Sequence, residues 1–494
     1  MGPVEADEIS SRSASGGQSL PGGGHFKRAL GLVDSTAVVV GSMIGSGIFI
    51  VSAETARQVG SPGWLLMCWL LAGLLTVAAA VCYGELAAMY PHAGGQYVFL
   101  REAYGKLAGF LYGWTLFTVI QSGTIAAVAV AFGKFLGVFL PWVSNSQLLL
   151  QAGGWRFSTV QLVAVLVIAL LTAVNCRGLH TARLIQTSFT VTKVGALAAL
   201  IALGLFSFDK FHGAAVNLTD LWQPRDLAGQ PIEGVKFLAV LGLAMVGALF
   251  SCDAWNNITF AGAEVRDAEK TLPRSLALGT SLVVLIYLLA NIVYLLVLPL
   301  NGSPDAGTVV GRGIAFAAED RVGTAAAEIL FGPAGKWIMA AAIMISTFGC
   351  LNGLILAGPR AYFAMACDGL FFKSAGQLHV TRHVPVFGLL IQGLWSAILT
   401  LSGTYSNLLE YVVSAALLFY VATVGALFIL RRKQKDRPRP YIAPAYPLLP
   451  ALYLIVASAV LVGQICLAPA YSGGGLLIIA SGLPAFIFWK GKNP

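Results

Sequence analysis

The chain has 494 residues, 57% of them apolar and only 11% charged, against roughly 45–50% and about 25% in an ordinary soluble protein. That balance argues against a soluble globular enzyme. The net charge of +9 would suit a nucleic-acid partner if the basic side chains formed a patch, but they punctuate long apolar runs, as membrane-topology signals do.

Residues 1–28 are rich in Gly and Ser, acidic before Lys27 and Arg28, and lack the apolar stretch of a cleaved signal peptide. They read as a disordered cytoplasmic tail. Apolar stretches long enough to cross a bilayer then follow near residues 30–58, 63–90, 107–140, 159–175, 184–206, 235–263, 274–299, 334–366, 385–402, 407–430, 447–467 and 475–489. The expectation is an all-α integral membrane protein with twelve spans in one domain over residues 29–492. With both ends in the cytoplasm, the basic loop residues fall mostly inside, led by Arg431, Arg432, Lys433, Lys435, Arg437 and Arg439. The cysteines, Cys68, Cys82, Cys176, Cys252, Cys350, Cys367 and Cys466, show no paired loop spacing, so neither a disulfide framework nor a metal site is expected.

Two spans are too broken to be plain helices. The first carries Gly41-Ser42-Met43-Ile44-Gly45-Ser46-Gly47-Ile48-Phe49, whose glycines weaken helix continuity at mid-membrane depth. The sixth carries Phe250-Ser251-Cys252-Asp253-Ala254-Trp255-Asn256, a polar cluster with an acid inside an apolar run. Breaks five spans apart point to an inverted-repeat transporter whose substrate sits where broken helices expose backbone groups. The repeats would span residues 29–207 and 235–431, with 447–490 accessory. An amino acid supplies both charges such a site wants. Its carboxylate would accept from the amides of Ser46 and Gly47 at the positive start of a half-helix, and its ammonium would meet carbonyls at Ile44 and near Phe250 to Cys252. Gly45 and Gly47 would let it approach the backbone, or equally let neighbouring helices touch.

Over about residues 26–492 the chain resembles the L-type amino acid transporter (LAT) branch of the amino acid/polyamine/organocation superfamily. The strings that carry the resemblance are Gly41 to Phe49, Tyr83-Gly84-Glu85-Leu86-Ala87 running to Pro91-His92-Ala93-Gly94-Gly95, Asp253-Ala254-Trp255-Asn256, and Glu264 through Leu272-Pro273-Arg274. The resemblance implies a LeuT-like fold of five plus five inverted helices, sodium-independent handling of amino acids, and often obligatory exchange. It also implies that Phe250 is an aromatic gate over the substrate. Lys193 in the fifth span matches a lysine standing near the sodium site of coupled relatives, and Ser346 in the eighth matches its polar partner. Eukaryotic members joined to a glycoprotein heavy subunit use a cysteine between the third and fourth spans. Residues 141–158 contain none, so a stand-alone bacterial member without that subunit is expected.

Lys193 reads as the basic residue well inside a span, either permanently charged in place of sodium or loading and unloading a proton. Asp253 is open to three roles: offsetting positive charge, bonding the unwound helix, or reading a substrate side chain. Trp255 and Asn256 suit packing and a helix cap as well as substrate contact. Glu85 and Glu264 are expected to hold inner loops through Arg pairs. A nucleotide-binding Gly-rich loop, an HExxH motif and a nucleophile constellation are all lacking, so no cofactor and no catalysis are expected. The leading reading is a neutral L-amino acid exchanger in the cell membrane. Its rivals are a proton-coupled symporter and a nontransporting amino acid sensor.

Overall fold

The computed structural model describes residue 26 and residues 28–152, 155–402, 405–467 and 469–492. Apart from Phe26 and Arg28, the expected N-terminal tail lies outside the described residues. Eleven helical stretches among those described are long and apolar enough to cross a membrane, and a twelfth apolar helix of 17 residues lies between the eighth and tenth spans. The broken first span is α1 (Leu32–Met43) and α2 (Gly47–Val59). The second is α3 (Pro62–Met89), followed by a short α4 (Gln96–Tyr104), and the third is α5 (Lys106–Phe139). The fourth and fifth are α6 (Thr159–Cys176) and α7 (Leu179–Phe206). The sixth is α8 (Gly234–Ser251) and one turn, α9 (Asn257–Phe260). The seventh is α10 (Ala268–Val297), then a short α11 (Val322–Phe331), and the eighth is α12 (Pro333–Cys367). The last four are α13 (Val386–Ser402), α14 (Tyr405–Lys433), α15 (Leu448–Leu467) and α16 (Pro469–Lys492).

Local chemistry sets several of these ends. Gly60, at φ 54°, turns the chain out of α2 in the left-handed conformation that suits glycine. Extended Ser61 then hands over to Pro62, whose missing N–H is harmless in the first turn. Ser158 opens α6 with a capping box: its amide donates to Gln161 Oε1 at 2.8 Å, and its hydroxyl accepts from the Gln161 amide.

Three features depart from the expected pattern. A β-hairpin, β1 (Leu148–Ala152) with antiparallel β2 (Trp155–Ser158), joins the third and fourth spans. Helices α4 and α11 sit in regions read as loops, at corresponding places in the two halves. The sixth span does not run helically to residue 263: beyond α9 there is only a 3-10 turn, Gly262–Glu264.

Packing pairs each of the first four spans with the span five later. Helix α2 lies on α8, α3 on α10, α5 on α12, and α6 on α13. This is the arrangement of a LeuT-like fold with two interlocked groups of five. Helices α15 and α16 pack on the outside of it, against α14 and parts of α3, α5 and α8.

The α3–α10 contact is close because Gly73 has no side chain; a Cβ there would press into the Val284 methyls, one of them at 3.1 Å. Gly73→Leu is expected to cost about 1–3 kcal/mol by overpacking. Gly195→Ala, in α7 with nothing within 4 Å of the new methyl, should be neutral or stabilising by up to about 1 kcal/mol. Thermal unfolding of the purified protein in detergent checks both.

Candidate functional site

Both breaks are visible in the backbone. Helix α1 stops at Met43, and Ile44 turns extended (φ −74°, ψ 92°) before α2 restarts at Gly47 with Ser46 as its N-cap residue. Ser46 makes no side-chain cap, and among the first-turn amides of α2 that of Phe49 donates to Ser46 O at 3.0 Å. In the sixth span Ser251 ends α8, and Ala254 sits at φ 64°. A left-handed non-glycine residue costs about 1–2 kcal/mol, which the surrounding contacts must offset.

The carbonyls at the end of α1 are met by side chains from three other spans. Lys193 Nζ, on α7 and 1% exposed, donates to Gly41 O at 2.6 Å, to Ile44 O at 2.7 Å and to Ser346 O at 3.4 Å. Ser346 Oγ, on α12, reaches Ile44 O (3.1 Å) and Gly45 O (3.2 Å), and Cys350 Sγ on the same helix donates to Ser42 O at 3.0 Å. From α10, Tyr287 OH lies 3.0 Å from Met43 O and 3.2 Å from Ser251 O, touching both breaks. An ammonium at the C-terminal end of a half-helix also meets the negative pole of its dipole.

Between the breaks lies a cavity of about 280 Å³ lined by Gly45, Ser46, Gly47, Phe250, Ser251, Asp253 and Ala254, with Thr124 and Val128 from α5 and Cys350 from α12. Thr124, Asp253 and Ala254 also border a second space of about 300 Å³, walled by Tyr112, Leu116 and Ile120 of α5, Leu354 of α12, and Ala416 and Tyr420 of α14. The α5 wall is carried by a π-helical turn, Leu116–Ile120, a distortion frequent where a helix lines a functional site. On the other side of Asp253 is a third, mostly apolar space of about 410 Å³ bordered by Thr76, Cys252, Trp255 and Tyr453.

The residues singled out by sequence therefore separate. Gly45, Ser46, Gly47, Phe250, Ser251 and Asp253 share the cavity between the breaks. Cys252 and Trp255 face the third space instead, and Trp255 is 2% exposed, with its ring 4.7 Å from that of Tyr83 and 5.4 Å from that of Tyr420. Asn256 begins α9 without a side-chain cap; its Nδ2 donates to Gln96 Oε1 at 2.9 Å, and Gln96 in turn donates to Thr423 Oγ1 at 3.0 Å. Gly47 serves close packing as well, because a Cβ there would overlap the Ser251 side chain and lie 3.0 Å from its Cα. Of the carbonyls read as partners for a substrate ammonium, Ile44 and those from Phe250 to Cys252, Ile44 O accepts from Lys193 and shares the Ser346 hydroxyl with Gly45 O, Phe250 O accepts from the amide of Asp253 and shares that of Cys252 with Ala248 O, and Ser251 O accepts from Tyr287.

Ion pairs tie the surroundings of the breaks. Glu85 takes Arg431 at 2.6 Å and the amide of Ala443 at 2.8 Å, holding the loop after the tenth span onto α3 as expected. Glu264 pairs at 2.9 Å not with a loop but with Arg360, inside α12, both 1% exposed in their side chains. Arg360 is thus a second buried basic residue inside a spanning helix, which the sequence reading of Lys193 does not include. Near the same end, Tyr97 donates to Asp368, which Arg101 also meets; burial and the Asp368 carboxylate push the Tyr97 phenol up. At the opposite end of the first span, Arg57 on α2 bonds Asp320 at 2.7 Å and Ala315 O at 2.6 Å.

Comparison with known proteins matches residues 30–487 to the amino acid permease family. The chain belongs to that family. The large neutral amino acids transporter small subunit 2 of Oryctolagus cuniculus is 30% identical over 497 residues, covering 99% of this chain and 85% of its own. The serine/threonine exchanger SteT of Bacillus subtilis (strain 168) is 29% identical over 471 residues, 95% of this chain and 98% of its own. The Asc-type amino acid transporter 1 of Mus musculus is 28% identical over 479 residues, 94% and 82% respectively. This permease is accordingly an integral membrane transporter of amino acids and not an enzyme.

Lys193→Met in this permease removes the side-chain donor to Gly41 O and leaves Ile44 O with that of Ser346 alone. Each buried polar group left unsatisfied costs about 1–3 kcal/mol, so the variant's unfolding midpoint in detergent should fall with no substrate added. Lys193→Arg should recover part of the loss if the role is donation alone.

Proposed function

We propose that this permease is a sodium-independent exchanger of neutral L-amino acids working by alternating access. The observation that carries the reading is Lys193, a fixed cation bonded to the end of α1 and to Ser346, where a coupled carrier would need a metal ion to hold the broken helix. A carrier with its cation built in does not draw on a sodium gradient. The names of two relatives, a large neutral amino acid transporter and a serine/threonine exchanger, support the substrate class and the exchange.

In this reading the substrate carboxylate meets the amides of Ser46 and Gly47 at the positive end of α2. The side chain lies toward the α5 and α14 wall, and Phe250 closes one side. Movement is a rocking of α1, α2, α3, α8 and α10 against the rest. The repeats run over 29–207 and 235–431, with 447–490 accessory. The loop over residues 141–158 carries no cysteine, which favours a chain working without a disulfide-linked heavy subunit in a bacterial cell membrane. The basic run Arg431 to Arg439 supports a cytoplasmic position for that end and for both termini.

Proteoliposomes test the reading. Radiolabelled alanine should enter vesicles preloaded with unlabelled amino acid, in sodium-free buffer, at least about tenfold faster than it enters empty ones. Equal entry into empty vesicles that rises with an inward proton gradient would make the chain a symporter.

A further inference from the structure

We infer that Arg57 and the turn at Glu319-Asp320 form a sprung latch at the outer end of the bundle, an inference that rests on the alternating-access reading above. The outer end is the one away from the basic run Arg431 to Arg439. Arg57 lies in the last turn of α2, the half-helix that begins beside the cavity at Gly47. Its guanidinium is fixed on its own helix by Glu54, whose Oε2 accepts from Nε at 3.0 Å and from Nη2 at 2.6 Å. Nη1 then reaches out of the helix to Asp320 at 2.7 Å and to Ala315 O at 2.6 Å. An exposed ion pair carries little weight, but the Arg57 side chain is only 22% exposed and a backbone carbonyl adds to the acid. These bonds join α2, which rocks in that reading, to the segment leading into α11, which packs on α12 of the other group.

The turn is the spring. Glu319 and Asp320 are consecutive left-handed residues, at φ 50° and 62°. In that conformation a Cβ crowds the following carbonyl, and such backbone persists only where its surroundings hold it. Arg57 supplies two of the holding contacts. Close seating supplies more: a Cβ on Gly323, in the first turn of α11, would lie 2.7 Å from Phe49 Cδ1 on α2. From the other group, Lys134 on α5 interacts electrostatically with both Asp320 and Glu319. Once Arg57 lets go, the turn relaxes, α11 lifts from Phe49 and the outer end of α2 is free to swing. Two features thus act with opposite sign on one equilibrium, the arginine favouring the closed outer end and the strained turn favouring the open one.

Cys350 borders the cavity between the breaks and is 2% exposed, which makes it a native reporter of opening. Cells expressing the full chain are treated from outside with a membrane-impermeant thiol reagent, with and without external alanine, and mass spectrometry reads the rate at which Cys350 is modified. Arg57→Gln is expected to speed that labelling at least about tenfold. Glu319→Gly, in which glycine takes up the left-handed turn without strain, should slow it at least about threefold. The pair that Glu319 makes with Arg321 is half exposed on the acid, and its loss counts for little. A structural lesion moves both variants the same way; the latch moves them apart. Labelling within about twofold of wild type in either variant, or a shift of both in one direction, overturns the latch. Asp320→Asn carries the same expectation as Arg57→Gln and replaces it if that variant does not reach the membrane. Wild-type labelling that external alanine leaves unchanged overturns the alternating-access reading, and the latch with it.

Discussion

An unwound stretch of helix at mid-membrane depth leaves carbonyls that hydrocarbon cannot satisfy, and each unpaired group there costs several kcal/mol. The rest of this structure is arranged around that constraint. Gly41 to Gly45 present five successive carbonyls, and Lys193, Cys350, Tyr287 and Ser346 supply donors to all five from α7, α10 and α12. The break in the first span is thus a joint between helices that are distant in the chain. In the sixth span Tyr287 meets Ser251 O and the amide of Asp253 meets Phe250 O, while the side chains of Asp253 and Asn256 bond to α14 and α4.

The two halves repeat more than their spans. Each has a broken first helix, a long second helix packed on its counterpart, and a short helix before the third: α4 in one half and α11 in the other. These short helices belong to the ends that ion pairs secure. Near α4, Arg101 and Tyr97 grip Asp368; just before α11, Asp320 grips Arg57 of α2. Half-helix α2 is therefore tied at its far end as well as at the break.

Much of this was legible from residues alone, for definable reasons. Long apolar runs mark spans because burying polar groups in lipid is costly, and Gly45, Gly47 and Asp253 mark breaks because each is out of place in such a run. Glu85 with Arg431 was legible because an acid and a basic cluster share one end. What stayed hidden depends on facing and on distance along the chain. Tyr287 acts on Met43 across 244 positions and Ser346 on Ile44 across 302, and nothing in an apolar helix says which of its hydroxyls will meet a broken one. Trp255 was grouped with the site by its neighbours in sequence, yet the left-handed turn at Ala254 sends it into an aromatic cluster. The hairpin at residues 148–158 was missed because its leucines merge with the apolar background.

Tyr287 has a further consequence. A hydroxyl carries one proton, and two carbonyls, Met43 O at 3.0 Å and Ser251 O at 3.2 Å, compete for it. The phenol therefore works as a rivet that pins the loose ends of two broken helices to a third, unbroken one, α10. Phenylalanine would fill the same space but leave both carbonyls to find other donors, at about 1–3 kcal/mol for each buried group left unsatisfied.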